Sequence, residues 1–319
     1  VMSSRVKVVL LSLVAVASAQ LVRPQEGPNR GFPNVGSPAL VVFTPASLEA
    51  LIRQQQRKAL QQPLQGCGIS AEVPIGGTLG EGEQWPWVAS IIYNRTRVCA
   101  AALVSSRHLL TAAHCFDALP GTTHNNEVWV RLGSADLNDG DRTLNDYTIS
   151  REIIHPGYES ATLENDLAII TLEKDVTFSN TVRPVCFPES IQSYEGNMAT
   201  ILGSGKEAAA AAAVGAVAAP IPRTVLEAAQ LLVWNNQECQ GAHQHPIRDT
   251  HICAGRKVGE INVCKGDSGG PMVVNGPQGW SVIGLVSWAS RGGICGQPGE
   301  PVVYTRISEY MSWINNKIV

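Results

Sequence analysis

The sequence lacks a strong excess of charge of either sign. Its 319 residues carry 24 basic and 27 acidic side chains, which give a formal net charge of −3, and 16% of the residues are charged. Nucleic-acid-binding chains usually show a basic excess or basic clusters, so this balance gives no reason to expect a nucleic-acid partner. The hydrophobic content of 44% is ample for a well-buried core.

The sequence also lacks an apolar run long enough to cross a membrane. Residues 8–16 form a short apolar run that follows Arg5 and Lys7, and Ala-Ser-Ala at residues 17–19 supplies the small residues of a cleavage site. Such a run is too short to span a bilayer but is typical of a secretory signal. Residues 1–19 are therefore predicted to be a signal peptide, and the mature chain is expected to be soluble and secreted, with no membrane partner.

No Cys-x-x-Cys spacing occurs, although this spacing is common in metal sites. The eight cysteines are an even number, which suits disulfide bonds in an oxidising compartment. Eight cysteines allow on the order of a hundred pairings, so the residues alone leave the connectivity open. Neither a metal site nor a cofactor is predicted.

The region before about residue 74 is short and irregular. Residues 20–43 are rich in Pro, Gly and Asn and predict a flexible segment. Between Thr44 and Gln62, apolar residues share one face of a potential helix, and Pro45 would occupy its first position. This pattern leaves a docking helix and a weakly ordered spacer equally open.

From about residue 74 the sequence shows short alternating runs separated by turn residues, which predict an all-β barrel or sandwich. The clearest runs cover residues 127–132, 167–172 and 280–288. Near the end of the chain, apolar residues at helical spacing predict a C-terminal helix over residues 307–317.

Two distant motifs carry most of the chemical information. One is Thr111-Ala-Ala-His114-Cys, and the other is Cys264-Lys-Gly-Asp-Ser268-Gly-Gly-Pro. A serine hydroxyl is a poor nucleophile unless a neighbouring base accepts its proton. The glycines around Ser268 suit a turn that brings backbone N–H donors close to a reacting group. Between the motifs, Asp166 occurs in the setting Asn-Asp-Leu-Ala.

Together these motifs resemble the active-site motifs of the trypsin/chymotrypsin family of serine peptidases. The order His114, Asp166, Ser268 is that of the chymotrypsin type. The resemblance implies that Ser268 is the nucleophile, that His114 is the general base, and that Asp166 orients the imidazole. It further implies an oxyanion hole made by the N–H groups of Gly266 and Ser268.

The resemblance covers residues 74–319 and implies a fold as well as a site. We expect two antiparallel six-stranded β-barrels with the site in the cleft between them, closed by a C-terminal helix packed on the second barrel. It also implies the disulfides Cys99–Cys115, Cys239–Cys253, Cys264–Cys295 and Cys67–Cys186. Since Cys67 precedes the peptidase domain, the last bridge would tether residues 20–73, a pro-segment, to that domain even after cleavage.

The substrate pocket is identified through the same resemblance. The pocket floor corresponds to Asn262, where trypsin-like members have an aspartate. One wall of the pocket is formed by the stretch that follows Ser287 and Trp288. The two wall positions that are glycine in deep pockets are Ala289 and Val302. This set predicts an elastase-like preference for small or medium apolar residues such as Ala or Val. The alternative is that Val302 packs in the core and blocks the pocket.

The sequence departs from the family at the activation site. Family members become active when cleavage after a basic residue frees an Ile or Val amine that pairs with the aspartate before the nucleophile, here Asp267. In this chain Val73 replaces the basic residue and Pro74 replaces the new N-terminus. Cleavage after Pro74 would free the amine of Ile75. The new N-terminal segment would then be one residue shorter than the segment that reaches the aspartate in family members.

Three smaller features leave alternatives open. Ala100 stands where the family has glycine, and its methyl group would press on the backbone behind Ser268. The alanine-rich stretch at residues 207–219 reads as a loop, a short helix or an error of sequence assembly. Asn94-Arg-Thr is a glycosylation acceptor whose occupancy stays open, and the acidic cluster at residues 136–141 is interpreted as solvated rather than as a calcium site.

Two functions follow from these observations. The first is a secreted serine endopeptidase whose partners are protein or peptide substrates, an activating peptidase and protein inhibitors. The second is a non-catalytic serine-protease homologue that binds or regulates other proteins. The intact Ser-His-Asp set favours the first function, and the missing activation site favours the second.

Overall fold

The computed structural model of the chain describes residues 66–70, 85–117, 119, 127–134, 143, 145–188, 193–203, 226–258, 263, 266–289 and 298–318. All of them belong to the second of two units into which the chain divides, residues 62–319. Outside the described residues lie the predicted signal peptide, the segment from 20 to 65, the alanine-rich stretch and the acidic cluster. Within them, no helix is both long and apolar enough to cross a membrane.

The first barrel is a closed antiparallel sheet with the strand order β1-β2-β3-β6-β5-β4. Its strands are β1 (Val88–Tyr93), β2 (Thr96–Leu103), β3 (His108–Thr111), β4 (Val128–Leu132), β5 (Asp146–Ile154) and β6 (Ala168–Leu172). Strands β4 and β6 fall inside two of the runs that alternation predicts.

The second barrel has the closed order β10-β11-β12-β9-β8-β7. Its strands are β7 (Met198–Gly203), β8 (Glu227–Trp234), β9 (His251–Gly255), β10 (Pro271–Gly276), β11 (Gly279–Trp288) and β12 (Val302–Arg306). A short helix α1 (Asn236–Ala242) lies between β8 and β9, and Asn235 caps it by accepting a hydrogen bond from the Glu238 N–H. The prediction of two six-stranded antiparallel barrels is confirmed.

Apolar side chains fill both barrels, and the larger cluster extends from the first barrel to second-barrel residues such as Leu202 and Leu285. Leu109, Ile169 and Leu172 are fully buried in the first core, and Met272 and Tyr304 are fully buried in the second. Closing the sheets leaves no unpaired edge strand. The strand ends that carry the site are therefore held on rigid frames.

The hairpin between β1 and β2 shows how the sequence specifies a local turn. Asn94 and Arg95 have φ values of 48° and 65°, and Tyr93 pairs directly with Thr96. Two successive residues with positive φ form the type I′ turn that suits the twist of a two-residue hairpin, and asparagine is favoured there. The Asn94 side chain is exposed at this turn.

The C-terminal helix differs from its prediction in two ways. A 3₁₀ turn (Ile307–Tyr310) precedes a single α-helical segment α2 (Met311–Asn315). Spacing of three between the buried residues Ile307 and Tyr310 fits a three-residue turn, whereas the step of four to Ile314 fits an α-helix. The helix also contacts the first barrel, since the ring of His155 lies edge-on to Trp313 at 4.9 Å between centroids.

Three of the four expected disulfides lie within the described residues, namely Cys67–Cys186, Cys99–Cys115 and Cys239–Cys253. The fourth, Cys264–Cys295, lies outside them. Next to the first bridge, the Gly68 N–H donates to the Pro184 carbonyl at 2.8 Å, and the Gly68 carbonyl accepts from the Trp280 N–H at 2.9 Å. The start of the described chain is thus fixed to the second barrel both covalently and by backbone hydrogen bonds.

Candidate active site

Strand pairing brings the first two candidate residues together. Strands β3 and β6 are antiparallel, and Thr111 at the end of β3 pairs with Ala168 at the start of β6. His114 follows Thr111 in a 3₁₀ helix (Ala113–Phe116), while Asp166 directly precedes β6. Both residues therefore emerge at the same end of the first barrel.

Two hydrogen bonds join His114 to Asp166. The ring Nδ1 of His114 lies 2.7 Å from Oδ2 of Asp166, and the backbone N–H of His114 donates to Oδ1 at 2.9 Å. A carboxylate bonded to Nδ1 keeps the proton on that nitrogen, so that Nε2 is left as the basic atom. The imidazole is thereby fixed in position and in tautomer.

The second barrel completes the surroundings of Asp166. Its carboxylate accepts a hydrogen bond from the Ser287 hydroxyl at 2.5 Å, and its backbone carbonyl accepts one from the Thr305 hydroxyl at 2.7 Å. Only 1% of Asp166 is exposed, and a buried polar group without hydrogen-bond partners would be unfavourable. Sequence analysis missed Thr305, because its hydroxyl meets Asp166 only through the docking of the two barrels.

The environment of His114 raises the pKa of its imidazole. Burial by itself lowers this pKa, but the hydrogen bond with Asp166 and the negative charges of Asp166 and Asp117 outweigh burial. An imidazole with a raised pKa is a stronger base. This is the direction that favours proton removal from a serine hydroxyl.

Backbone hydrogen bonds hold the turn that carries Ser268. Its carbonyl accepts from the Ala100 N–H at 2.8 Å, and the N–H groups of Gly269 and Gly270 donate to Val286 and Asp267 at 2.8 and 2.9 Å. Among the described residues, neither the Gly266 nor the Ser268 N–H donates to a backbone carbonyl. These are the two N–H groups that the family resemblance assigns to the oxyanion hole.

Two positions in this turn require glycine. Gly269 has a φ of +76°, and a Cβ there would lie 2.1 Å from the Thr111 hydroxyl oxygen. A Cβ at Gly270 would lie 2.8 Å from the Asp267 carbonyl oxygen and 3.4 Å from the Ala100 methyl carbon. The absence of a side chain at Gly270 leaves room for the methyl group of Ala100, and the normal hydrogen bond from Ala100 to Ser268 shows that this methyl group is accommodated.

Asp267 has an ionic partner from the first barrel. Nη1 of Arg97, on β2, lies 3.5 Å from Oδ1 of Asp267, and their side chains are 6% and 1% exposed. The amine partner expected from the activation motif, Ile75, lies outside the described residues. Sequence analysis missed Arg97, because the pair joins residues 170 positions apart.

The predicted pocket residues are distributed along β11 and β12. Ser287 is buried against Asp166, Trp288 is half-buried and Ala289 is exposed. Val302 is fully buried and belongs to the core cluster of the second barrel. Asn262 lies outside the described residues.

An open cleft of about 330 Å³ adjoins the candidate site. Both barrels contribute to its walls, which include Leu163, His243, Trp288 and Ala289. The ring of His243 lies edge-on to Trp288 at 4.9 Å between centroids. The cleft therefore has a rigid aromatic wall beside the residues expected to bind substrate.

Among the described residues, one cluster has the composition of a metal site, Cys99, His114 and Cys115. The two cysteines form a disulfide with each other. A disulfide provides no thiolate ligand, and the Nδ1 of His114 is already bonded to Asp166. This cluster therefore does not have the donors of a metal centre.

Two closed antiparallel barrels with a His–Asp pair and a Gly-Asp-Ser-Gly turn at their junction define a chymotrypsin-like serine protease fold. The sequence model of the family described as Trypsin matches residues 74–314. The chain belongs to this family.

Named relatives agree with the family assignment. The chain is 32% identical to a proclotting enzyme of Tachypleus tridentatus over 79% of this chain and 69% of that protein. It is 32% identical to transmembrane protease serine 11G of Rattus norvegicus over 79% of this chain, and 33% identical to transmembrane protease serine 11A of Homo sapiens over 76% of this chain. The alignments cover 58% and 54% of these two transmembrane proteases, little more than half of their length.

Proposed function

We propose that this chain is a secreted serine endopeptidase that hydrolyses peptide bonds through an acyl-enzyme. The observation that carries the proposal is the pair of hydrogen bonds from His114 to the buried Asp166, at 2.7 and 2.9 Å. A homologue without catalysis has no chemical need for an imidazole fixed in this tautomer next to a Gly-Asp-Ser-Gly turn.

Each residue of the site has a defined task in this reaction. Ser268 Oγ attacks the carbonyl carbon of the scissile bond while Nε2 of His114 accepts its proton, and Asp166 stabilises the imidazolium that forms. The N–H groups of Gly266 and Ser268 bind the negative oxygen of the tetrahedral intermediate. His114 then gives the proton to the leaving amine, and a water molecule hydrolyses the ester by the same route.

Fluorophosphonate labelling tests the proposal, because such probes react efficiently only with an activated serine. The wild-type protein is expected to be labelled, and Ser268→Ala should remove the label while leaving the fold intact. A suitable control is Ser150→Ala, since the Ser150 hydroxyl bonds to strand carbonyls of the first barrel and should not affect labelling. Equal labelling of the wild type and Ser268→Ala would contradict the assignment of the nucleophile.

A second candidate function is that of a non-catalytic homologue that acts by binding. The observation that favours it is the replacement of the usual activation sequence by Val73 and Pro74. Absence of labelling, even after limited proteolysis near Pro74, would support this function. If the chain is a peptidase, we propose protein inhibitors and an activating peptidase as partners; the non-catalytic function requires neither.

We further propose cleavage after small or medium apolar residues. Val302 fills space in the second barrel beside Tyr304, so a long side chain of the substrate has less room there than glycine would leave. A peptide library should therefore give a profile dominated by residues such as Ala and Val, with discrimination of about 1–3 kcal/mol per methylene. Val302→Gly should extend the profile to larger apolar residues, whereas a wild-type profile dominated by Arg or Lys would contradict the pocket assignment.

A further inference from the structure

We propose that Asn94 carries an N-linked glycan and that this glycan limits the approach of bulky partners to the candidate catalytic turn. The modification rests on the proposed secretion of the chain, and the effect on partners rests on the proposed peptidase function. Both parts concern the tip of the β1–β2 hairpin, which has no task in the reaction itself.

The sequence supplies one acceptor for such a glycan. Asn94-Arg-Thr96 is the only Asn-x-Ser/Thr tripeptide in the 319 residues, and its middle residue is not proline. The described residues include three disulfides, which are typical of proteins that mature in the oxidising secretory compartment. N-glycosylation takes place in that same compartment, so the acceptor occurs in a chain suited to the modification.

The fold presents this acceptor to solvent. Asn94, Arg95 and Thr96 are all exposed at the turn between β1 and β2. Among the described residues, none forms a hydrogen bond with the side-chain amide of Asn94. Its backbone N–H, in contrast, donates to the Glu127 carbonyl at 3.0 Å. The acceptor nitrogen is therefore reachable, while the backbone that carries it is held by the segment that leads into β4.

Turn geometry alone explains part of this tripeptide. Asparagine is favoured where φ is positive, so the φ of 48° at Asn94 accounts for the asparagine without any glycan. The turn does not require a hydroxyl group at position 96, however, and that hydroxyl is what makes the tripeptide an acceptor. Variants of Thr96 therefore separate the two explanations.

The modification is a group transfer without a change of oxidation state. The side-chain nitrogen of Asn94 forms a bond to the anomeric carbon of a lipid-linked oligosaccharide, and the bond from that carbon to the pyrophosphate oxygen breaks. The amide nitrogen loses one proton, and the lipid pyrophosphate leaves. The oligosaccharide donor and its transferase come from the secretory pathway, so this chain needs to supply only the amide.

Strand β2 leads from the hairpin tip to the candidate catalytic turn. Arg97 follows Asn94 by three residues, and its Nη1 would lie 3.5 Å from a Cβ on Gly266. Ala100 follows Asn94 by six residues, and its N–H donates to the Ser268 carbonyl at 2.8 Å. Six residues of a strand extend about 20 Å. The glycan would therefore be attached within roughly this distance of the proposed nucleophile.

The glycan would obstruct large partners more than small ones. Among the described residues, none from the β1–β2 hairpin lines the open cleft beside Trp288, so a glycan on Asn94 leaves that cleft accessible to a short peptide. A stable protein–protein interface covers about 800 Å² on each partner. A protein bound over Ser268 would therefore extend beyond the cleft towards the hairpin, where a branched glycan is bulky enough to interfere.

Secretion from cultured animal cells tests the modification. Treatment of the wild-type protein with peptide-N-glycosidase should lower its apparent mass in gel electrophoresis. Asn94→Asp and Thr96→Ala should show the lower mass without treatment, whereas Thr96→Ser keeps the acceptor and should behave like the wild type. Aspartate tolerates a positive φ, so Asn94→Asp should fold.

A matched control is Asn197→Asp, because Asn197 is exposed but is not followed by an acceptor hydroxyl. This variant should keep the higher mass. A secreted wild-type protein whose mass the glycosidase does not change would overturn the modification.

Two fluorophosphonate probes with the same reactive group test the effect on partners. One is a biotin-linked probe alone, and the other is the same probe already bound to streptavidin through a short linker. Removal of the glycan, by the glycosidase or by Asn94→Asp, should raise the labelling rate of the streptavidin-bound probe relative to the free probe by at least about threefold, because access for a large partner increases. An unchanged ratio of the two rates would overturn this effect.

The outcomes also separate this inference from the proposed function. Absence of labelling by either probe, with or without the glycan, would overturn the peptidase and with it the effect on partners, while the mass change would still establish the modified site. Labelling of a wild-type protein that shows no mass change would preserve the peptidase and overturn the inference.

Discussion

At the scale of single residues, Asp166 is the group on which the site depends. One carboxylate bonds to a ring nitrogen and a backbone N–H of His114 and to the hydroxyl of Ser287. These bonds hold the carboxylate in place beside the ring, and the hydrogen bond and the negative charge of Asp166 raise the pKa of the His114 imidazole. The protonation behaviour of His114 is therefore the most direct readout of this arrangement.

The raised pKa of His114 predicts the pH dependence of acylation. The base must be neutral to accept a proton, so the rate should fall as the pH falls through the pKa of His114. The midpoint of this acidic limb of the pH profile should lie above 6.5, the ordinary pKa of a histidine side chain. The limb is measured from the rate of fluorophosphonate labelling between about pH 5 and 9. A limb below 6.5 would contradict the assignment.

Two carboxylates near His114 provide matched variants for this experiment. Asp166→Asn should move the limb to lower pH and reduce the rate by roughly 10⁴-fold, as expected when the imidazole loses its orienting charge. The Asp117 carboxylate acts on the pKa of His114 through its charge, and it accepts a hydrogen bond from the Tyr158 hydroxyl at 2.6 Å. Asp117→Asn should therefore shift the limb slightly to lower pH with little loss of rate.

At the scale of elements, the turn before β10 is packed so tightly against its neighbours that one of its positions has no room for a side chain. The segment around Thr111 and the backbone of Ala100 enclose Gly269 so closely that a Cβ would lie 2.1 and 2.6 Å from their oxygen atoms. The turn, β2 and β3 are consequently packed as one unit. This packing fixes Ser268 relative to the segment that carries His114.

A pair of glycines with the same backbone conformation tests this packing. Gly269 and Gly196 both have a φ of +76°, but nothing lies within 4 Å of a Cβ on Gly196. Gly196→Ala should cost about 1–2 kcal/mol of unfolding free energy through backbone strain alone. Gly269→Ala should cost at least about 2 kcal/mol more and abolish labelling, because the Thr111 and Ala100 atoms must move. Denaturant unfolding measures the loss of unfolding free energy in each variant. Equal losses in the two variants would contradict the steric explanation.

The elements also show how far sequence reasoning extends. The short runs bounded by turn residues correctly predicted β4, β6 and β11, most of whose residues are buried. The motifs named His114 and Asp166 as partners, and these two residues are hydrogen-bonded. The first turn of the C-terminal segment was missed, since a spacing of three is compatible with both 3₁₀ and α-helical turns.

At the scale of the whole molecule, the two barrels share the site. Asp166 belongs to the first barrel, but the hydroxyl donors Ser287 and Thr305 come from the second and are 121 and 139 residues away in sequence. The ion pair of Arg97 with Asp267 also crosses between barrels. No local pattern in the sequence specifies such contacts, because they depend on how closed sheets dock. This is why the candidate triad could be predicted and its supporting residues could not.

The anchored start of the described chain has a consequence for where the two barrels are held. Cys67 is bonded to Cys186, and Gly68 is hydrogen-bonded to Trp280 and Pro184. A cut at any bond between residues 71 and 84 therefore leaves two pieces that stay joined. Whatever surface or macromolecule captures the upstream piece would hold the barrels nearby, at an effective concentration that can reach the millimolar range for a short linker. Reduction of this single bond would then release the barrels from that location while leaving their chemistry intact.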